Sequence, residues 1–462
     1  MKDIRWRETQ VVVLGAARQG AALAEFLSQK GARVIITDLK SKDELQDTRQ
    51  RLEGLQVEWV LGEHPLSLLE DTDVLAVSGG VPLTLPLVEE ARQRGIPLTN
   101  DSQIFMEQVP CPVIGITGSA GKTTTTSLVG RMVEEDRGPD RTWMGGNIGN
   151  PLLARVEDMS AEDLAVVELS SFQLELMVDV PQVAGVLNLT PNHLDRHGTM
   201  EAYVGAKARI ITHQGPGGTV ILNRDDPGSW KLLPLVQGEL ISFGKDRPLR
   251  GRRGVYLDGD QVHLFDGEES RSIFSTALIA LRGEHNLSNI LAACALAWAA
   301  GISPRSMAAG VQGFTGVEHR LERIRERNGV LWINDSIATA PERALAAMRS
   351  FSEPLILLAG GRDKDLPWEE FSRYVLDHVR HLILFGEAAD LIEESLHGVD
   401  SNPEERLEIT RTPGLASAVD AAAEAARPGD VVLLAPGGTS FDEFVDFAAR
   451  GDFFKQKVKS LP

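Results

Sequence analysis

The sequence predicts an α/β protein of three domains built on parallel sheets, and three observations predict it. Short apolar strands alternate with helices almost from end to end, the rhythm of βαβ units. Several of these strands run straight into glycine-bearing turns, at the sheet edge where ligands gather. The chain, at 462 residues, is also longer than a single core organises. The expected segments are 1–110, 111–315 and 316–462.

In the first segment, QVVVLG (10–15) reads as a buried strand, 19–30 as a helix closed by Gly31, and ARVIITD (32–38) as a second strand. The turn from Gly15 to Gly20 has two of the three glycines of a dinucleotide fingerprint, and Asp38 follows 18 residues after Gly20. NAD enzymes and nucleotide-sugar binders share this pattern. DVLAVSGGV then gives a strand ending at Ser78-Gly79-Gly80. Two such turns on one crevice favour a phosphate-bearing ligand. A helix over 84–94, a strand at 96–100 and a helix over 101–108 complete the unit, and Pro110-Cys111-Pro112 stiffens the junction.

The second segment carries the organising motif, VIGITGSAGKTTTT (113–126). A β-branched strand enters a loop of Gly118, Ser119, Ala120 and Gly121, and a helix is expected over 127–135. Free N–H groups and the positive end of a helix suit an anion; Lys122 adds a cation, and the Thr123 hydroxyl is placed to ligate Mg²⁺. Two residues, not four, separate Gly118 from the Gly-Lys pair, so the phosphate loop is compressed. WMGGNIGNP places Asn147 in a glycine loop. LAVVELSSFQLE is a strand ending in Glu168, suited to a metal carboxylate, and VAGVLNLTPNHLDRHG leaves Asn192, His193 and Asp195 beyond another strand. The helix from Met200 bears Lys207, which by itself reads as an exposed helical lysine. A β-rich stretch with a hairpin turning at Asp258-Gly259 precedes an apolar, buried helix entered through Asn286 and closed by Gly301.

The third segment alternates strands (VLWIND, PLILLAGG, HLILFGE, DVVLLAPGG) with helices near 341–350, 367–380, 387–396 and 414–427, and a last helix is expected from Ser440. Strands without polar alternation point to a doubly wound sheet.

Composition narrows the function classes. A formal charge of −19, from 47 basic and 66 acidic residues, opposes general binding to nucleic acid or anionic membrane. Cys111 and Cys294 have neither metal-ligand spacing nor a disulfide framework. VVVLG is too short for a signal core and 287–300 too short to span a bilayer. A cytoplasmic protein is expected.

Taken together, TGSAGKTT, GGNIGNP, VELSSFQLE, NLTPNHLDRHG, YVGAKARI, HNLSNILAA, GVEHRLE, INDSIAT and PGGTSFDEF, with the turn at Gly15, resemble the Mur ligase family over nearly the whole chain. The resemblance implies a Rossmann-like N-terminal domain for a UDP-sugar, a central ATPase-type domain with a small β-rich part, and a C-terminal Rossmann-like domain for an amino acid. It implies an ATP-dependent amide ligase adding glutamate to UDP-N-acetylmuramoyl-L-alanine through an acyl phosphate. A monomer is expected.

The family's site residues carry over by motif. The loop from Gly118 through Lys122 and Thr123 to Thr124 would hold ATP, with Asn289, Arg320 and Asp335 around the adenine, phosphates and ribose. Thr123 and Glu168 would share one Mg²⁺; His193 and a carbamylated Lys207 would hold a second. Lys122, His193 and Lys207 are the catalytic candidates. Arg18, Gln19, Asp38, Ser78, Gly80 and Asn147 fall on the UDP-sugar side, and Thr339, Lys364, Ser440, Phe441 and Phe447 in the glutamate pocket. One departure stands out: Ile337 replaces the lysine of the common NDSKAT motif, and NDSIAT also occurs in a relative that adds L-glutamate. The same chemistry with L-glutamate is therefore the nearest alternative; an NAD-dependent oxidoreductase using the first turn is the alternative of another class.

Overall fold

The computed structural model describes residues 6–147, 151–192, 194–281, 283–363, 366–400, 403 and 407–461. The chain divides into two compact units, Met1–Phe314 and Thr315–Pro462. The first contains two sheets and the second contains one.

The first sheet is parallel throughout, in the spatial order Val57–Leu61, Arg33–Asp38, Gln10–Leu14, Val74–Val77, Leu98–Thr99. Its central strands, VVVL and VLAV, are buried on both faces, which is why they read as unbroken apolar runs. The helix Arg18–Gln29 returns its apolar face to this sheet, and Asn100 caps Asp101–Gln108 by accepting from Gln103 N–H.

The second sheet has nine strands. Seven are parallel, in the order Arg253–Asp258, Glu239–Phe243, Thr219–Asn223, Val183–Val186, Val113–Thr117, Leu164–Glu168, Thr142–Gly146; Gln261–Phe265 and Ser270–Ser275 extend one edge antiparallel. Val113–Thr117 thus lies between the strands ending in Glu168 and Val186, and all three deliver their C-terminal ends to one edge. The buried helix Glu284–Ala299 packs on this sheet, starting at Glu284 after Gly283 rather than at Asn286.

In the second unit the order is Glu322–Arg327, Val330–Asn334, Val431–Gly437, Leu355–Gly360, Val379–Phe385, Glu408–Arg411, parallel except for the first pair. Separate apolar clusters cover its two faces, as a doubly wound sheet requires.

Three further elements differ from expectation. The helix after the phosphate loop spans Lys122–Arg137, not 127–135: Gly121 at φ 81° starts it, and burial of Thr125 and Thr126 outweighs the low helix propensity of a threonine run. Thr142–Gly146 is an edge strand paired with Leu164–Glu168, so only the end of the glycine stretch is loop. The last helix begins at Phe447, capped by Asp446, rather than near Ser440.

No helix among the described residues is long and apolar enough to cross a membrane. Both cysteines are buried and unpaired, and burial pushes the Cys294 thiol up to about 12.

Candidate active site

At the shared edge of the nine-stranded sheet the phosphate loop is held from below and from the side. Ser119 Oγ donates to Thr190 O (2.9 Å) and meets the Tyr203 hydroxyl (2.9 Å). Asn188, beyond the strand Val183–Val186, accepts from Ala120 N–H (2.8 Å) and donates to Ala120 O (3.0 Å). A side chain thereby closes the loop as a neighbouring strand would. At Gly121 a Cβ would lie 2.2 Å from Asn289 Oδ1, so only glycine lets the buried helix come this close.

Lys122 turns its ammonium onto Gly118 O (2.9 Å) and Ser119 O (3.4 Å). Beside it the Thr123 hydroxyl donates to Glu168 Oε2 and Asn147 Nδ2 donates to Glu168 Oε1, both at 2.9 Å. Glu168 is buried. A hydroxyl and a carboxylate are hard oxygen ligands of the kind Mg²⁺ prefers, next to a lysine and loop N–H groups suited to phosphate. The residues therefore fit Mg²⁺ and a triphosphate. No group of three or more His, Cys, Asp or Glu that could hold a metal ion occurs among the described residues.

Lys207 is not the exposed lysine its helix suggests. It is 2% exposed, donates to Thr117 Oγ1 (3.2 Å) and lies 5.0 Å from the Tyr203 ring centroid. Burial, reinforced by the charge of Lys122 and opposed by Glu168, holds its ammonium well below the usual lysine range. The charged form is thus disfavoured beneath the phosphate loop. Lys122, Thr123, Glu168, Lys207, Asn147 and Asn289 are thus brought together; His193 lies outside the described residues.

The second cluster of the first unit is at the end of Gln10–Leu14. Gly20 passes so near Gly15 that a Cβ would meet its carbonyl at 1.8 Å. Ser78 Oγ donates to Gly15 O (2.9 Å), and Gly79 N–H donates to Gln19 Oε1 (3.2 Å), tying the two glycine turns together. Asp38 accepts from Ala16 N–H (2.7 Å) and Lys40 N–H (2.9 Å). Arg18 is exposed in the first helical turn.

In the second unit Asp335 accepts from Leu321 N–H (2.9 Å); burial raises its carboxyl to about 6, against the pull of Arg320 and Arg343. Ser440 is buried with a hydroxyl that has no protein partner, while Phe441 is exposed and Thr339 and Phe447 are half-buried. Lys364 lies outside the described residues. The loops carrying Ser336, Gly438 and Thr439 are joined by Arg450, fully buried, which donates to Ser336 Oγ and O, Thr439 O and Gly438 O at 2.9–3.1 Å.

Sequence reasoning missed Asn188, Tyr203 and Arg450. The first two sit inside recognised motifs, but their partners are other loops, which spacing along the chain does not expose. Arg450, on the last helix, reads as a solvated cation.

Comparison with known proteins agrees with this layout. Three family models tile the chain: the Mur ligase MurD-like N-terminal domain over 9–100, the Mur ligase middle domain over 116–297 and the Mur ligase glutamate ligase domain over 319–438. The chain belongs to the Mur ligase family. Within it, the UDP-N-acetylmuramoylalanine–D-glutamate ligase of Pelotomaculum thermopropionicum is 41% identical over 98% of each chain, and that of Symbiobacterium thermophilum 40% identical over the whole of each. Among solved structures, the UDP-N-acetylmuramate–alanine ligase MurC of Thermotoga maritima aligns over 98% of this chain and 100% of its own with a TM-score of 0.56 at 16% identity. MurF of Acinetobacter baumannii aligns over 96% and 93% with 0.54 at 17%. These two establish likeness of fold.

Proposed function

We propose that the protein joins D-glutamate to UDP-N-acetylmuramoyl-L-alanine at the expense of ATP, in the cytoplasmic synthesis of peptidoglycan precursors. The observation that carries this reading is end-to-end likeness, at 36–41% identity, to relatives of that name. It favours D-glutamate over the L-glutamate and oxidoreductase alternatives despite Ile337, whose side chain cannot pair with a carboxylate.

A carboxylate is a poor electrophile; transfer of the γ-phosphoryl group to the alanine carboxylate gives an acyl phosphate whose phosphate the glutamate amine displaces. Two anions must meet, so the residues that offset and follow charge matter most. Lys122 and the loop N–H groups would take the phosphates, exchanging the carbonyls of Gly118 and Ser119 for stronger acceptors. Thr123 and Glu168 would hold Mg²⁺, which when bound neutralises phosphate charge. Lys207, whose burial disfavours the ammonium, would add CO₂ at its amine with release of a proton; the carbamate would be an anion able to ligate a second Mg²⁺ with His193. Asn289, Arg320 and Asp335 would contact the nucleotide. Arg18, Gln19, Asp38, Ser78, Gly80 and Asn147 would contact the UDP-sugar, and Thr339, Lys364, Ser440, Phe441 and Phe447 the glutamate. A monomer is expected.

The test is an assay of phosphate release and amide formation with UDP-N-acetylmuramoyl-L-alanine and each glutamate enantiomer. Product with D-glutamate supports the proposal; product with L-glutamate alone, or with neither, refutes it.

A further inference from the structure

Two residues outside the predicted set, Arg196 and His197, bridge the two clusters of the first unit. The His197 side chain is 1% exposed, with Nδ1 3.2 Å from Glu175 Oε1 and Nε2 2.9 Å from Ser171 Oγ. A carboxylate only accepts, so Nδ1 carries a proton towards Glu175, and Nε2 pairs with the Ser171 hydroxyl. The order serine–histidine–glutamate is that of a hydrolytic triad, but Ser171 is buried, so the arrangement braces the ring and does not arm a nucleophile. Turning the ring would break both hydrogen bonds.

The braced ring has two neighbours that lead elsewhere. It stacks on Phe172 at 5.1 Å and 3°, and meets Tyr203 edge-on at 5.3 Å. Tyr203 reaches Ser119 of the phosphate loop. Phe172 also carries the Arg196 guanidinium, 4.6 Å from its centroid, and Arg196 Nη1 donates to Gly80 O at 3.1 Å. An unbroken series of contacts therefore runs from the Ser78–Gly80 turn through Arg196, Phe172, His197 and Tyr203 to Ser119.

We propose that Arg196 and His197 are positioning residues that hold the Ser78–Gly80 turn in register with the phosphate loop, and so set how the nucleotide-sugar acceptor is presented to the triphosphate. The identity of the two ligands rests on the ligase reading above. Neither side chain need touch the reacting atoms; Arg196 acts through the Gly80 carbonyl and His197 through the two aromatic rings.

The experiment is steady-state kinetics on full-length Arg196→Met, which offers an uncharged thioether beside Phe172 in place of the guanidinium and loses the donor to Gly80. The KM for UDP-N-acetylmuramoyl-L-alanine is expected to rise about tenfold, as the loss of one charge-assisted hydrogen bond would give, while the KM for ATP and the melting temperature stay those of the unmodified protein. Arg196→Lys, able to donate again, is expected to recover part of the loss. His197→Phe, which keeps the stacked ring and loses both hydrogen bonds, is expected to raise the same KM to a smaller extent. Unchanged acceptor KM in Arg196→Met, or an equal rise for ATP, overturns the proposal. If the unmodified protein forms no amide with this acceptor, the ligase reading itself fails, and the two failures are told apart.

Discussion

The turn at Gly15–Gly20 and the loop at Gly118–Thr123 are built alike and equipped differently. Each follows an interior strand of a parallel sheet, and each opens a helix. The first is neutral in its glycine contacts and gives a backbone N–H to the Asp38 carboxylate. The second gives a backbone N–H to the amide of Asn188, and gathers Lys122, Glu168 and a buried Lys207 within hydrogen-bonding range of the loop or its strand. The two turns share a backbone plan and differ in the charged groups beside them. A turn beside a carboxylate suits sugar hydroxyls, whereas a cation with a metal-binding carboxylate suits a polyphosphate.

The sharpest way to break this contrast is Lys122→Ala. Turnover is expected to fall by at least about 10³-fold, the range for a lost charge contact in phosphoryl transfer, with unchanged circular dichroism. Surviving turnover would move the phosphates elsewhere.

A second test compares carboxylates within the N-terminal part. Asp38 accepts two backbone N–H groups, whereas the Asp101 Oδ1 has no partner and burial raises the Asp101 carboxyl from 3.8 to about 7. The folded protein keeps a proton that the unfolded chain releases, so Asp101 costs stability as pH rises from about 4 to about 7, and nothing further above that. The cost is on the order of 4 kcal/mol. Asp101→Asn should flatten denaturant-unfolding stability across this window; parallel profiles would show that another group titrates there.

The smallest effect is expected at Asp38→Asn. One amide oxygen replaces two carboxylate oxygens, so the KM for the nucleotide-sugar should rise about tenfold while that for ATP holds. An equal shift in both would erase the distinction between the two turns.

Much of this was legible in the sequence. The strand ending in Glu168 and the loop ending in Lys122 announce themselves because apolar runs and glycines act locally. The edge strands Glu322–Arg327 (ERIRER) and Glu408–Arg411 (EITR) did not, because charged edges lack the apolar signal. The burial of Lys207 was hidden too: GAKARI is an ordinary helical surface until Thr117 and Tyr203 close over the amine. Arg450 escaped for the same reason, its four acceptors lying on two loops of its own unit, one of them 114 residues away. Local pattern gives the strand ends; what each buried polar group faces is decided by the fold.

The absent methyl at position 121 has an evolutionary corollary. Because Asn289 occupies the space a side chain would need, and because the left-handed backbone there already penalises one, the two positions are bound to drift jointly or not at all. In a library randomised at both, any survivor carrying alanine at 121 should also carry a smaller residue at 289.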